Sequence, residues 1–555
     1  MAEKKYAIGV DYGTNSVRAL LVDISNGREL ATHVFSYPQG RDGIILEAKD
    51  PHVARQHPAD YEKGLEVTVS RVLKKAGKIK GFSPSCVTGI GVDTTGSTPI
   101  PVDESGTPLA YKKEFRKNKN ALAWLWKDHS SAREASDITE LAKEEFPQYL
   151  CKCGGTYSSE WFFSKILHCL RTDKKVFDAA YSWVEFCDYI PALLTGDVKP
   201  ENIKRSICTA GHKAMYNGEY GGLPSAEFLG RLHPDLAALR ARLYDKAYPA
   251  DVKTGTLSAK YAKLFGLSTD VAVSAGALDA HMGAVGSGIK PGSMVKILGT
   301  SGCDMMVAPK SSELKDIPGL CGIVDSSILP GYWGLEAGQS AVGDILHWFV
   351  DNFSLSKVYG KDPHVQLTKL MGRMKPGETG LMTLDWHNGN RTILVDPRLT
   401  GMTMGFTLGT KPEHIYRSLT EGIAFGAKVI INRFEEYGVR VNDIICCGGI
   451  ADKNPVFMQI YADILGRELK VVRSGQTCAL GAAMFGAAAA GAGKMEDLQK
   501  NMCGIKKTYR PIKDNVIAYE RIYSIYRKLH DLFGTKDASY NMYDVMKNLL
   551  SLKPR

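Results

Sequence analysis

The chain has 555 residues, 70 Lys+Arg against 60 Asp+Glu, 44% hydrophobic and 23% charged residues. This composition excludes a disordered chain, a collagen-like repeat and a disulfide-stapled miniprotein, and at roughly 150 residues per domain it suggests three or four domains or two large ones. The net charge of +10 is small for this length, requires no nucleic-acid partner, and suits an anionic ligand.

Tyr6–Val10 and Val17–Val22 are apolar and flank Asp11-Tyr12-Gly13-Thr14-Asn15-Ser16, so the chain opens as strand, tight turn, strand. Asn26-Gly27 predicts a hairpin into a third strand over Glu29–Ser36. Helical spacing of Leu65, Val69, Val72 and Leu73 predicts a helix over Glu62–Lys75, and Val87–Val92 a buried strand ending at Asp93. Asp128 and His129 are read onto a helix with Trp124 and Trp126 as its apolar side. GSGIKPG over 286–292 breaks any element and is expected to be a hinge. Beyond it the opening theme returns: strand Ser293–Leu298, turn Gly299-Thr300-Ser301-Gly302, strand from Cys303. Asp443–Glu468 reads as strand, glycine turn and helix, and Tyr519, Ile522, Tyr523, Tyr526 and Leu529 mark a packed terminal helix. Strands alternating with helices argue for α/β architecture. With no low-complexity linker, two intimate domains are expected, 1–288 and 289–555.

The twelve cysteines form no CxxC pair and no zinc spacing, and most sit among apolar residues, as free thiols do in a reducing compartment. The N-terminus offers five apolar residues before Asp11, too few for a signal peptide, and the small-residue run Ala479–Ala492 is too short to span a bilayer. A cytoplasmic protein with no membrane partner is expected. The lysines at 74, 75, 78 and 80 lack interleaved aromatics and read as a solvated helix end, not a nucleic-acid patch.

No GxxxxGK[ST], GxGxxG, HRD/DFG pair or GxSxG occurs. What remains is a different phosphate device. Gly13, Thr14, Asn15 and Ser16 place backbone N–H groups and hydroxyls in a turn where an anion can sit, and Gly299, Thr300 and Ser301 do so again in the second half. Asp11 could hold Mg²⁺ through water, because that cation keeps several waters and takes few carboxylates. Asp93, ending its strand, could orient a hydroxyl, bind metal indirectly, or cap the turn. Gly448-Gly449 after Cys446-Cys447 lets backbone approach a flat base or ribose.

GVDYGTNSVRALLVD, LGTSGC, CCGGIADKNPVFMQIYADILG and GFTLGTKPEHIYRSLTEGIAF, in that order over more than 450 residues, resemble the FGGY carbohydrate kinases of the actin/hexokinase superfamily. The resemblance implies two actin-like (ribonuclease H-like) α/β domains flanking a catalytic cleft, ATP with Mg²⁺, and a small sugar as acceptor. The last segment carries His414 and Ser418…Glu421 at the family's signature positions. GVDTTGSTPIPVD, LWKDH, CTAGHKAM, GALDAHMGAVGSG and GLEAGQSAVGDILHWF resemble the L-ribulose kinases of the family more than its xylulose or glycerol kinases. By that pattern Asp279 is the catalytic base, and Thr95, Gly96, Asp128, His129, Lys213 and Glu336 join it around the sugar, with His129 where many relatives carry Arg. Gly448, Gly449 and Asn454 fall on the adenosine loop. The implied reaction is ATP-dependent conversion of L-ribulose to L-ribulose 5-phosphate in L-arabinose catabolism, in a protein that the family suggests is a homodimer. The alternatives are a kinase for D-ribulose, xylulose or ribitol, or a non-metabolic actin-like ATPase. Cys303, Cys446 and Cys447, beside the nucleotide loops, are expected sites of attack by thiol reagents.

Overall fold

The computed structural model describes residues 5–310, 314–536, 538–540, 549 and 552; the outermost ends of the two expected stretches lie outside these. The first half supplies β1 (Tyr6–Tyr12), β2 (Ser16–Asp23), β3 (Glu29–Ser36), α1 (Pro58–Ala76), β4 (Val87–Thr94), α2 (Phe162–Thr172), α3 (Ile207–Ala214), β5 (Lys253–Thr256), β6 (Ala272–Ser274), β7 (Ala277–Leu278) and α4 (Asp279–Gly286). Helix α1 forms where expected and for recognisable reasons. Pro58 opens it, the His57 side chain caps the Ala59 N–H, and Tyr61, Leu65, Val69, Val72 and Ala76 are buried.

The second half supplies β8 (Ser293–Leu298), β9 (Gly302–Pro309), β10 (Gly322–Asp325), β11 (Tyr332–Gln339), α5 (Gly343–Asn352), α6 (Pro412–Glu436), β12 (Asp443–Cys447), α7 (Pro455–Leu465), β13 (Leu469–Val472), α8 (Thr477–Ala489), β14 (Ile505–Tyr509) and α9 (Lys513–Gly534). The sequence reading is met at the opening hairpins, at 443–465 and at the terminal helix.

The two sheets repeat one plan. The first runs β5-β6-β4-β1-β2-β3 with β7 also beside β4, the second β10-β11-β9-β8-β12-β13-β14. In each, an antiparallel hairpin (β1–β2, β8–β9) carries a third antiparallel strand on one side (β3, β11). On the other side two parallel strands (β4 and β6, β12 and β13) are followed by an antiparallel edge (β5, β14). The repeat suggested by weak sequence similarity is thus a repeat of topology.

The halves share a core. Ala7, Leu20 and Val22 from the first sheet cluster with Val295, Met305 and Ile445 from the second and with Ala479, Leu480 and Ala483 of α8. Small residues make this possible: a Cβ on Gly9 would lie 1.8 Å from the Ala479 carbonyl oxygen of α8. Among the described residues no helix is long and apolar enough to cross a membrane.

One local expectation fails. Residues 125–131 are turn, not helix: Ala123–Trp124 is a short strand paired with Asp50–Gln56, and the next helix, Ala132–Glu145, begins after His129. Trp124 lies in the strand and Trp126 in the turn after it, an arrangement fixed by tertiary pairing with Arg55 and Gln56 that local spacing cannot supply.

Candidate active site

Three carboxylates meet at the C-terminal ends of the first sheet's central strands. Asp11 of β1 pairs in register with Asp93 of β4, Asp93 pairs with Ala277 of β7, and Asp279 follows one residue beyond β7. Parallel register alone brings residues 82 and 186 positions apart to one spot. Asp93 is fully buried and, among the described residues, no N–H or hydroxyl donor reaches either of its oxygens, its one carboxyl neighbour at bonding range being Asp11. Burial, then the charges of Asp11 and Asp279, push its carboxyl well above the usual range. Asp279 is raised to about 7 by burial and by Asp11, although its Oδ1 accepts the Ala280 N–H at 2.7 Å. Burial likewise raises Asp11, against the pull of Arg18 at 3.6 Å. A carboxylate cluster with orphaned oxygens and one partly exposed counter-charge fits a hydrated divalent cation. Asp279 is the first residue of α4 and does not cap it, since Leu278 holds that position without a side-chain bond.

The first hairpin turn is braced by its surroundings. Gly13 N–H bonds Ser16 O at 2.9 Å, Gln56 Nε2 reaches Thr14 O at 2.7 Å, and Asn15 Nδ2 reaches Asp42 O at 2.5 Å. Trp126 Nε1 donates to Thr14 Oγ1 at 3.0 Å, tying this turn to the 124–129 segment. The second turn is built alike: Gly299 N–H bonds Ser301 O at 3.1 Å, while Thr300 O accepts from Val342 and Asp344 at the start of α5. Gly448 follows β12 beside it with φ +95°, where a Cβ would lie 2.5 Å from Leu298 O, so the loop passes the β8 backbone only as glycine. Gly449 faces open space. Asn454 is spent on structure: its Oδ1 caps Phe457 N–H at 3.0 Å and its Nδ2 reaches Thr368 Oγ1 at 3.2 Å.

Glu336 of β11 is the centre of a second cluster, which joins the halves. Lys213 of α3 lies 3.2 Å from it, Arg391 Nη2 2.6 Å, His212 Nδ1 3.3 Å and His281 Nε2 3.8 Å. Burial would raise this carboxyl, but Lys213 and Arg391 hold it well below its ordinary value. Both histidines are kept neutral by burial, His281 being lowered to about 4. Lys213, which the resemblance places at the sugar, is buried. Neutral imidazoles around a charged carboxylate and ammonium present both donors and acceptors, the set that hydroxyl groups require.

Gly96 lies against Leu278, the residue before Asp279. Thr95 N–H bonds Tyr12 O at 3.0 Å, its hydroxyl is buried without a partner, and a Cβ on Gly96 would meet Leu278 Cδ2 at 2.3 Å. Asp128 is brought near but is occupied. Its Oδ2 takes the Arg55 guanidinium and Ala54 N–H, its Oδ1 takes Ser130, and it has no exposed surface. His129 is outward, 3.2 Å from Ser159 Oγ and 3.9 Å from Glu160.

Sequence reasoning missed Arg55, His212, His281 and Arg391; the histidines stand among small and apolar residues and the arginines among polar ones, and neither setting names a partner. It also overstated the thiols. All twelve cysteines are free, Cys446 and Cys447 are buried, and burial pushes Cys303 up to about 12, which is poor chemistry for reagent attack. The signature positions of α6 are structural: Glu421 accepts from Arg417 and from Tyr519 of α9, and Ser418 bonds Thr383.

The N-terminal domain description of the FGGY family of carbohydrate kinases matches residues 6–286 and the C-terminal one residues 294–490. The chain is 42% identical to the ribulokinase of Geobacillus thermodenitrificans over 98% of this chain and 97% of that one. It is 41% identical to the ribulokinase of Anoxybacillus flavithermus over the same shares. The solved structure of a xylulose kinase from Rhodospirillum rubrum is similar at a TM-score of 0.75 and 22% identity, covering 96% of this chain and 100% of that chain. At that identity the likeness concerns the fold, and the fold is the two-domain actin-like α/β arrangement expected from sequence.

Proposed function

The chain belongs to the FGGY family of carbohydrate kinases, and from that premise we propose that it transfers the γ-phosphoryl group of ATP to the terminal hydroxyl of L-ribulose, giving L-ribulose 5-phosphate. The observation that carries this reading is the placement of Asp279 between two unlike clusters, the cation-seeking Asp11/Asp93 pair and the hydroxyl-matching Glu336/Lys213 group. The ribulokinase name of relatives about 40% identical over nearly the whole chain supports the choice of acceptor.

Phosphoryl transfer to a hydroxyl needs alignment, charge neutralisation and one proton acceptor. Asp279 takes the proton from the attacking hydroxyl, aided by a carboxyl held near neutrality. Lys213 and Glu336 orient the sugar, with Thr95 and Gly96 as its near wall; Asp128 acts by holding Arg55 and the 124–129 turn, and His129 lies at the rim. The turns at 13–16 and 299–301 hold the phosphates with backbone N–H groups and hydroxyls, and Gly448 and Gly449 lie along the adenosine, with Asn454 fixing the helix behind. Asp11, through water, and Asp93 would hold Mg²⁺, which supplies neutralisation of the phosphate charge when bound. Two domains, 1–288 and 289–555, would close about 286–292 to exclude water, since an open site would hydrolyse ATP. A cytoplasmic homodimer serving L-arabinose breakdown completes the proposal.

A coupled ADP-release assay across L-ribulose, D-ribulose, D-xylulose and ribitol tests it. The highest kcat/KM is expected for L-ribulose. Equal values for L-ribulose and D-xylulose would remove the specific acceptor and leave the sugar-kinase reading.

A further inference from the structure

Two buried charges outside the reacting groups, Lys165 and Glu185, both bond the turn after Asp93. Lys165 of α2 has no exposed surface, and its Nζ donates to Ser97 O at 2.8 Å, Leu125 O at 2.9 Å and Trp124 O at 3.4 Å. Glu185, ending the buried strand Ser182–Glu185, accepts the Ser97 hydroxyl and the Thr98 N–H, the latter at 2.8 Å. One ammonium therefore joins the 95–98 turn to the strand end that leads to Trp126. Trp126 in turn holds Thr14 of the first hairpin. Burying an ammonium on neutral carbonyls costs several kcal/mol in principle, and an aliphatic side chain would fill the same helix position without that cost.

We propose that Lys165 and Glu185 are positioning residues for the acceptor sugar: together they fix the separation of its two walls, the 95–98 turn and the 124–129 segment. The inference rests on the reading of those segments as sugar walls. The clamp acts on KM for the sugar more than on KM for ATP, because neither residue bonds the turns at 13–16 or 299–301 directly and the Trp126–Thr14 bond is its link to the first of them.

The clamp is also sensitive to protonation. Burial lowers Lys165 to about 7, with Glu185 and Glu160 acting to raise it and Arg55 and Lys213 to lower it. The charged amine has three N–H donors for its three carbonyls, whereas the neutral amine has two. The walls therefore loosen, and the sugar KM rises, as pH climbs through neutrality.

The test is steady-state kinetics on the full-length protein with L-ribulose and Mg²⁺-ATP, from about pH 6 to about pH 9. Lys165→Met is expected to raise the sugar KM on the order of 10²-fold while raising that for ATP far less. Glu185→Gln keeps an amide oxygen for the Thr98 N–H and an NH₂ that can donate to Ser97 Oγ, but removes the anion that favours the Lys165 ammonium, so the alkaline rise in sugar KM moves to lower pH. A merely structural role would lower Tm without moving that limb. An unchanged sugar KM in folded Lys165→Met protein, or equal rises for sugar and ATP, would overturn the proposal. An unmoved limb in Glu185→Gln would do the same, and this variant decides the matter if Lys165→Met does not fold. Wild-type protein that phosphorylates no ketopentose would instead defeat the acceptor assignment, and the clamp with it.

Discussion

The two halves share a sheet plan yet differ at the strand ends that lead into the Gly-Thr turns. Aligning Asp11-Tyr12-Gly13-Thr14 with Ile297-Leu298-Gly299-Thr300 sets Asp11 against Ile297. The parallel register then sets Asp93, beside Asp11, against Cys447, beside Ile297. One half ends its central strands in carboxylates and the other in apolar groups, while both keep the Gly-Thr turn. The turn is what a phosphate needs from either side, because backbone N–H groups carry the interaction. Cation binding and proton transfer need side chains, and one set suffices. The second half instead places Gly448 and Gly449 after Cys447, an approach for a flat ligand.

Breaking the carboxylate side should cost most. Asp279→Asn is expected to lower kcat by ~10²–10⁴-fold with folding intact, measured by the same ADP assay and circular dichroism. Near-normal turnover would remove Asp279 from the chemistry. The pH profile sharpens this: a base must be deprotonated, so kcat/KM should rise with pH along a limb at or below about 7, since a cation bound at Asp11 would favour the ionised form. That limb should vanish in the variant.

Asp11→Asn should raise the Mg²⁺ concentration for half-maximal rate by ~10–100-fold, since a water-mediated carboxylate tunes and does not solely create the site. Ile297→Asn at the matching position should leave the Mg²⁺ requirement where it is. An equal effect of the two would abolish the distinction between the halves. The smallest effect is expected from Gly448→Ala: φ +95° is strained for alanine by ~1–3 kcal/mol. The Tm should fall by a few degrees, and KM for ATP should rise more than KM for the sugar.

Much of the site was legible because its pieces are short. Gly13–Ser16, Gly299–Ser301 and Gly448–Gly449 are turns whose chemistry lies within four or five residues, and Asp11 and Asp93 each stand at the end of an apolar run. The sugar side was legible chiefly through resemblance. Its physics was hidden: Lys213 and Glu336 are 123 residues apart, and Arg55 and Asp128 are 73 apart. The 124–129 segment was misread as a helix because two tryptophans two residues apart carry no clear period, and pairing with Asp50–Gln56 decided the matter.

The sequence alone determined most of the elements and the two Gly-Thr turns and suggested the repeat between halves, since period, turn chemistry and glycine content act over a few residues. Only the tertiary structure decided which charges meet. Parallel strand register gathered Asp11, Asp93 and Asp279, and Lys213 crossed from one half to Glu336 in the other. Burial then set their protonation, since desolvation and neighbouring charge exist only once the chain has folded.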